Sequence, residues 1–173
     1  MHHSEFISIL ASIYKPNIYV ELGLYEGETL HKIMPFVKKI HGVDLQRKHQ
    51  LDILQQNNSN LYIHYTDTNT FFKNFNEGID MIFIDADRSF GSALNDFENA
   101  LKRLNTGGII ILHDTDPEED WLIDPKYCGD SYRIVSLLEK RDDINIVTLP
   151  LQSPGLSIVT KKNDTRVQLR NNN

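Results

Sequence analysis

The chain has 173 residues, 40% hydrophobic and 24% charged, a balance that fits one globular domain with a sizeable core and excludes a disordered chain. Twenty-four acidic side chains against 18 Lys and Arg leave a net charge of −6, which argues against nucleic acid or an anionic membrane surface as partner. The longest apolar runs, such as Ile109 to Leu112, are too short to cross a bilayer, no basic-then-apolar secretory pattern opens the chain, and a lone Cys128 fits a reducing compartment, so the cytoplasm is the expected location.

Ser4 to Tyr14 reads as a helix capped by Ser4, with Phe6, Ile7, Leu10, Ile13 and Tyr14 on one side; His2 and His3 are set aside. Ile18 to Leu22 is a short apolar strand, followed by a glycine turn and a helical spacing of Leu30, Ile33, Met34 and Val37 that stops near Pro35 and Phe36. Lys39 to Asp44 is a second strand and Arg47 to Gln56 a helical segment. Leu61 to Tyr65 is a third strand, followed by a short helix around Phe71, Phe72 and Phe75. Ile79 to Asp85 is almost continuously apolar, as a central parallel strand covered on both faces must be. Ser89 caps a helix through Phe90, Leu94, Phe97, Leu101 and Leu104, which Asn105-Thr106-Gly107-Gly108 stops before a fifth strand, Ile109 to His113. Asp114 to Gly129 is a long acidic loop holding Trp121 and Tyr127, the kind of connection that usually serves function. Asp130 or Ser131 caps a last helix through Ile134 and Leu138. Ile144 to Leu149 and Leu156 to Thr160 are strands joined too tightly for a helical crossover, hence antiparallel. Residues 1–162 form one domain, and 163–173 a loose polar tail.

The first strand runs into Glu21-Leu22-Gly23-Leu24-Tyr25-Glu26-Gly27, the pattern E-x-G-x-x-x-G rather than the dinucleotide G-x-G-x-x-G. A pyrophosphate there would meet Glu21, Glu26 and Glu28, with repulsion of a few kcal/mol per close pair at an effective dielectric of ~20. A ligand carrying an ammonium and a sulfonium suits these acids; the plainer reading is a βα turn with acids at a helix N-terminus. The motif resembles the first motif of class I S-adenosylmethionine (SAM)-dependent methyltransferases. In that family the strand-end acid, here Glu21, holds the methionyl end of the cofactor, and the glycines, here Gly23 and Gly27, let it lie against the backbone. Tyr25, inside the turn, is expected to touch it.

Five βα-type units followed by an antiparallel pair match the same family along nearly the whole chain. The resemblance implies an α/β, Rossmann-like doubly wound sheet of about seven strands, mostly parallel with the last antiparallel, and helices on both faces. Ligands of such sheets lie at the strands' carboxyl ends. Asp44 closes the second strand, where an acid accepts the ribose hydroxyls, and Asp67 and Thr68 follow the third, where the family reads the adenine edge. Asp67 equally suits the N-cap of the next helix.

Asp85 and Asp87 follow the fourth strand, and His113, Asp114 and Asp116 the fifth. Four carboxylates so close imply a cation: the cofactor's sulfonium, or a hard ion such as Mg²⁺ or Ca²⁺. This resembles the cation-dependent catechol and caffeoyl-CoA O-methyltransferases and related sugar O-methyltransferases, which implies Asp85 and Asp114 as metal ligands. Thr115 stands where the catechol type has Asn as the third ligand, and Asp116 or Asp87 are its substitutes. Arg88 stands where the caffeoyl-CoA type carries a lysine base, and Arg does not deprotonate, so His113 is the alternative base. The expected catalytic set is thus Asp85, His113 and Asp114, acting on a hydroxyl of a small molecule behind the Trp121–Cys128 wall. A homo-oligomer that completes the acceptor pocket is left open. The other readings are a non-catalytic SAM-fold binding protein and a nicotinamide-dependent oxidoreductase, the latter lacking its G-x-G-x-x-G.

Overall fold

In the computed structural model, which describes residues 1–151 and 154–162, the apolar runs pair into one seven-stranded sheet. The polar tail 163–173 and residues 152–153 of the final turn lie outside the described residues. The strands are β1 (Ile18–Leu22), β2 (Lys39–Asp44), β3 (Leu61–Tyr65), β4 (Ile79–Ile84), β5 (Leu104–His113), β6 (Ile144–Leu149) and β7 (Leu156–Lys161). Their order is β3-β2-β1-β4-β5-β7-β6. β1 to β5 are mutually parallel, and β7 is inserted antiparallel to both β5 and β6. The helices are α1 (His3–Tyr14), α2 (Glu28–Ile33), α3 (His49–Asn57), α4 (Thr68–Asn74), α5 (Phe90–Arg103) and α6 (Ile134–Leu138). No helix among the described residues is long and apolar enough to cross a membrane.

The period-two alternation of a strand explains the two cores. Val20 and Leu22 of β1 join Ile82 and Ile84 of β4 on the face covered by α4, α5 and α6, where Phe71, Phe97 and Ile134 are buried. Tyr19, Met81 and Phe83 point the other way, against Ile7 of α1, Leu30 of α2 and Leu51 of α3. β1 is the pivot: strand order grows through β2 and β3 on one side and through β4 and β5 on the other. That reversal opens a crevice at the carboxyl ends, where βα loops diverge.

Three elements depart from the sequence reading. α1 begins at His3, and His2 rather than Ser4 caps it: the His2 Nδ1 accepts from the Ser4 N–H at 3.3 Å while Glu5 accepts from the His2 N–H at 3.2 Å. Ser4 is free for a tertiary role, donating to Glu28 at 2.8 Å and accepting from Lys32 at 2.9 Å. β5 starts at Leu104, because the register shifts between the Ile79–Leu104 and Met81–Ile109 pairs and accommodates the polar segment as an irregularity. Asn105 donates to Asp80 at 2.8 Å, and Gly107, at φ 80°, offers its carbonyl to the Tyr14 hydroxyl at 2.9 Å. Neither Asp130 nor Ser131 caps α6, which a 3₁₀ turn, Ser131–Arg133, precedes. Asp130 instead accepts from the Phe90 N–H at 2.7 Å, and Ser131 donates to the carbonyls of Asp114 and Cys128 at 3.2 and 2.9 Å.

Gly23 sits where β1 leaves the sheet, at φ 84°, donating its N–H to the Val43 carbonyl at 2.9 Å. A Cβ on it would stand 2.1 Å from the Asp85 carbonyl oxygen. Gly23→Ala therefore combines left-handed strain with a backbone clash and is expected to lower stability by about 2–4 kcal/mol. Equilibrium urea unfolding checks this, and a loss below about 1 kcal/mol would show that the junction yields easily.

Candidate active site

A cavity of about 740 Å³ lies over the carboxyl ends of the strands. Gly23, Asp44, Asp67 and Thr68 line it, so four of the expected cofactor residues meet there. The Asp44 carboxylate is oriented by two backbone donors, the N–H of Leu24 at 3.1 Å to Oδ2 and that of Gln46 at 2.8 Å to Oδ1. Each oxygen keeps acceptor capacity for a vicinal diol. Asp67 caps α4, accepting from the Thr70 N–H at 2.9 Å and hydroxyl at 2.6 Å. These bonds, the hydroxyl's first, hold its carboxyl below the usual range.

The other motif residues are outside this cavity. Tyr25 is 78% exposed in the turn, at φ 47°, with the Lys48 ammonium 4.9 Å over its ring and bonded to its carbonyl. Gly27, at φ 82°, occupies the N-cap of α2, where a Cβ would stand 2.8 Å from Leu51 Cδ2; its freedom serves helix packing. Glu21 shares the Tyr19 face of β1, is 2% exposed, and accepts from the Tyr19 hydroxyl at 2.8 Å. Burial pushes its carboxyl up to about 8, against the Tyr19 bond and with help from the charge of Asp85.

Asp85, His113 and Asp114 converge at the ends of β4 and β5, with one donor atom from each inside 4.8 Å of the others. The His113 Nδ1 is 3.2 Å from Asp85 Oδ1 and 3.0 Å from Asp114 Oδ1. Burial opposes a charged imidazole, but its bonds to Asp114 and Asp85 prevail and hold the ring up to about 10. The imidazolium thereby faces both acids with one positive charge, and Arg88 adds a second 3.5 Å from Asp114 Oδ2. Asp114 itself is held at φ 59°, the strained backbone found at functional positions. The separations of about 3 Å also suit neighbouring ligands of one divalent ion, so the residues fit a metal if His113 gives up its proton. The third donor gathered there is a ring nitrogen, which favours Mn²⁺, Fe²⁺ or Zn²⁺ over Mg²⁺. The Thr115 hydroxyl is buried without a partner among the described residues.

Arg88 and the acidic loop build the remaining wall. The Arg88 carbonyl accepts from the N–H groups of Asp130 and Ser131 at 3.1 Å, and its guanidinium donates to the Lys126 carbonyl at 3.1 Å. Gly129, at φ 56°, permits this approach, since a Cβ would lie 2.4 Å from the same carbonyl. Ile123 and Pro125 face the cavity, whereas Trp121 and Tyr127 pack edge to face at 4.9 Å and are about half exposed. Cys128 is buried, its thiol bonded to the Leu122 carbonyl at 2.6 Å, a structural contact.

Residues 20–115, more than half of the chain, match the family model described as a methyltransferase domain. The chain belongs to this methyltransferase-domain family. An uncharacterised protein of Acanthamoeba polyphaga mimivirus is 30% identical over 129 residues, 65% of this chain, and the chain spans 58% of that relative's length. Among solved structures, the S-adenosylhomocysteine (SAH)-bound methyltransferase PaMTH1 of Podospora anserina is similar with a TM-score of 0.77 and 17% identity, over 93% of this chain and 78% of that one. The O-methyltransferase of Bacillus cereus in complex with SAH has a TM-score of 0.72 and 19% identity, over 92% and 80%. The SAM-bound O-methyltransferase TomG of Streptomyces achromogenes has a TM-score of 0.73 and 14% identity, over 93% and 80%. At these identities they show a shared fold.

Two residues of the methyltransferase domain escaped the sequence reading. His3 lies 4.6 Å from the His113 ring and 5.7 Å from that of Phe83, so the start of α1 roofs the acid cluster. Burial, then the charge of His113, lowers its pKa to about 4, leaving a neutral ring. Asp96 of α5 lines the cavity while 2% exposed. Its only sequence signal was a carboxylate on the packed side of an amphipathic helix, four residues after Ser92.

Glu21 makes stability depend on pH. The folded carboxyl titrates near 8 and the unfolded one near 4.5, so between them the folded state holds a proton that the unfolded chain releases. The contribution is full below about 4.5 and declines as the pH rises towards 8. Urea midpoints measured from pH 5 to pH 8 are expected to fall in the wild type relative to Glu21→Gln; parallel pH profiles would contradict the assignment.

Proposed function

We propose that this domain transfers the methyl group of SAM to a hydroxyl oxygen of a small acceptor. SAM supplies an electrophilic methyl: its C–S bond breaks as the C–O bond forms, the hydroxyl proton passes to a base, and SAH leaves. The observation that carries the reading is Asp44, a carboxylate aimed by two backbone N–H groups into a 740 Å³ cavity at the strand-order reversal. Asp44 accepts from the ribose hydroxyls, Gly23 leaves space beside the β1 end, and Thr66 to Thr68 border the base. Asp85, at the end of β4, provides negative charge on the side where the methionyl ammonium and the sulfonium belong.

The acceptor enters from the Asp85–His113–Asp114 side, beneath α1 and beside the Arg88-tethered wall. Asp85, in contact with one proton of His113 through Oδ1, has a second oxygen that can orient the acceptor hydroxyl and take its proton. His113 and Arg88 hold Asp114 in place by ion pairing. A divalent ion bound by Asp85, His113 and Asp114 would lower the pKa of the hydroxyl. The chain's share of catalysis is alignment, because methyl transfer is an in-line displacement whose rate follows the approach of oxygen to carbon.

Calorimetric titration with SAH tests the reading. Wild type is expected to bind it in the micromolar range and NADH not at all, and Asp44→Ala is expected to weaken SAH by about tenfold or more, the worth of a charge-assisted hydrogen bond. NADH binding, or SAH affinity unmoved by Asp44→Ala, would contradict it.

A further inference from the structure

α5 turns three polar side chains, Ser89, Ser92 and Asp96, onto the cavity. Ser89 caps the helix, its hydroxyl accepting from the Ser92 N–H at 3.3 Å. Asp96, one turn further, is different: it is 2% exposed, and its Oδ1 has no hydrogen-bond partner among the described residues. The wall opposite comes from the β3–α4 junction, where Thr68 faces the Asp96 carboxyl and Asn95 donates to Asn69 at 2.7 Å, tying the two helices together. Burial first, then the neighbouring charges of Asp87 and Asp67, raises the Asp96 pKa to about 6 against the bonds from Thr68 and Asn95. A carboxylate oxygen buried without a donor weakens the empty fold. A ligand that brings a donor to it recovers that loss.

The position of the group identifies the donor. Asp44 at the end of β2 takes the ribose, so the base lies further along the sheet, at the end of β3 and against α5. On that reading the methionyl ammonium belongs on the other side, towards Asp85 at the junction of β1 and β4. On the hydrogen-bonding edge of adenine the exocyclic 6-amino group is the donor, and hypoxanthine has a carbonyl acceptor in its place. We propose that Asp96 accepts a hydrogen bond from the 6-amino group of the cofactor's adenine and makes the domain select adenine over hypoxanthine nucleosides. The inference rests on the reading that the cavity holds SAM. It adds a base-reading residue from α5 to the β3-end segment already expected to border the base.

The test compares SAH with its inosine counterpart, S-inosylhomocysteine, by calorimetry on wild type, Asp96→Asn, Asp96→Leu and Asp44→Ala. Wild type is expected to prefer SAH by at least 100-fold, since a carboxylate facing a carbonyl leaves both acceptors unpaired. Asp96→Asn, whose amide can donate to the hypoxanthine oxygen, brings the two within about tenfold. Asp44→Ala weakens both ligands and keeps the wild-type ratio. Asp96→Leu loses SAH affinity while its Tm stays level or rises, whereas a merely structural Asp96 would lower the Tm. Equal affinity of wild type for the two ligands overturns the proposal without any variant, and an unchanged ratio in folded Asp96→Asn overturns it as well. If SAH binds wild type with its Asp44 dependence intact, such a failure touches Asp96 alone; if SAH does not bind wild type, the reading of the cavity falls with it.

Discussion

The junction of β1 with β4 is the constraint on which the site depends. β1 lies between two parallel partners, and at its end the Asp85 N–H donates to the Leu22 carbonyl at 2.8 Å while the Gly23 N–H reaches Val43 on the other side. Those two bonds lock three strand ends side by side before their loops diverge. Because the sheet grows in opposite directions from this point, the loops after β1 and β4 separate and leave the crevice. Asp44 and Asp85 occupy their positions because each follows a strand whose register with β1 is set by buried Val, Leu and Ile side chains.

Charge is arranged around that crevice so that the domain folds without its ligand yet retains acids for it. Glu21 holds a proton when buried, Asp96 titrates near 6, and Asp85 with Asp114 share the His113 imidazolium. The proton on Glu21 and the shared imidazolium offset the cost of burying a carboxylate, whereas at Asp96 the unpartnered oxygen leaves that cost for a ligand to relieve. A cofactor with an amino-bearing base has a group that can supply the missing donor at Asp96. A chain of net charge −6 concentrates its buried acids here, a pattern characteristic of binding sites.

The strands were legible because apolar, β-branched runs of four to six residues bounded by turn residues have few alternatives. The antiparallel end of the sheet followed from the short connection between β6 and β7 alone. Helix ends were less legible, since His2 caps α1 with a ring nitrogen, an uncommon capping group, and Asp130 acts through a contact distant in sequence. Asp44, Asp67 and Thr68 could be placed by their strand ends. The uses of Tyr25 and Gly27 could not, because the turn projects Tyr25 outward and packs Gly27 against Leu51. Asp96 and His3 were hidden for a related reason: each reaches the site from a helix distant in sequence from the strand ends it meets. The Trp121 loop is expected from the sequence as a lid or a wall of the acceptor site, and Arg88 ties its end to the start of α5 through three hydrogen bonds.

The central claim is that one cavity, spanning the ends of β1 to β4, receives the cofactor. Amide hydrogen exchange with and without saturating SAH tests it most directly, because protection maps the binding surface without prior choice of residues. The account predicts slowed exchange in Gly23–Leu24, in Asp44–Gln46, in Thr66–Asn69 and along the first two turns of α5, with the α4/α5 groove around Lys73 and Lys102 unchanged. Protection centred on that groove, or none at the strand ends while SAH is bound, would contradict it.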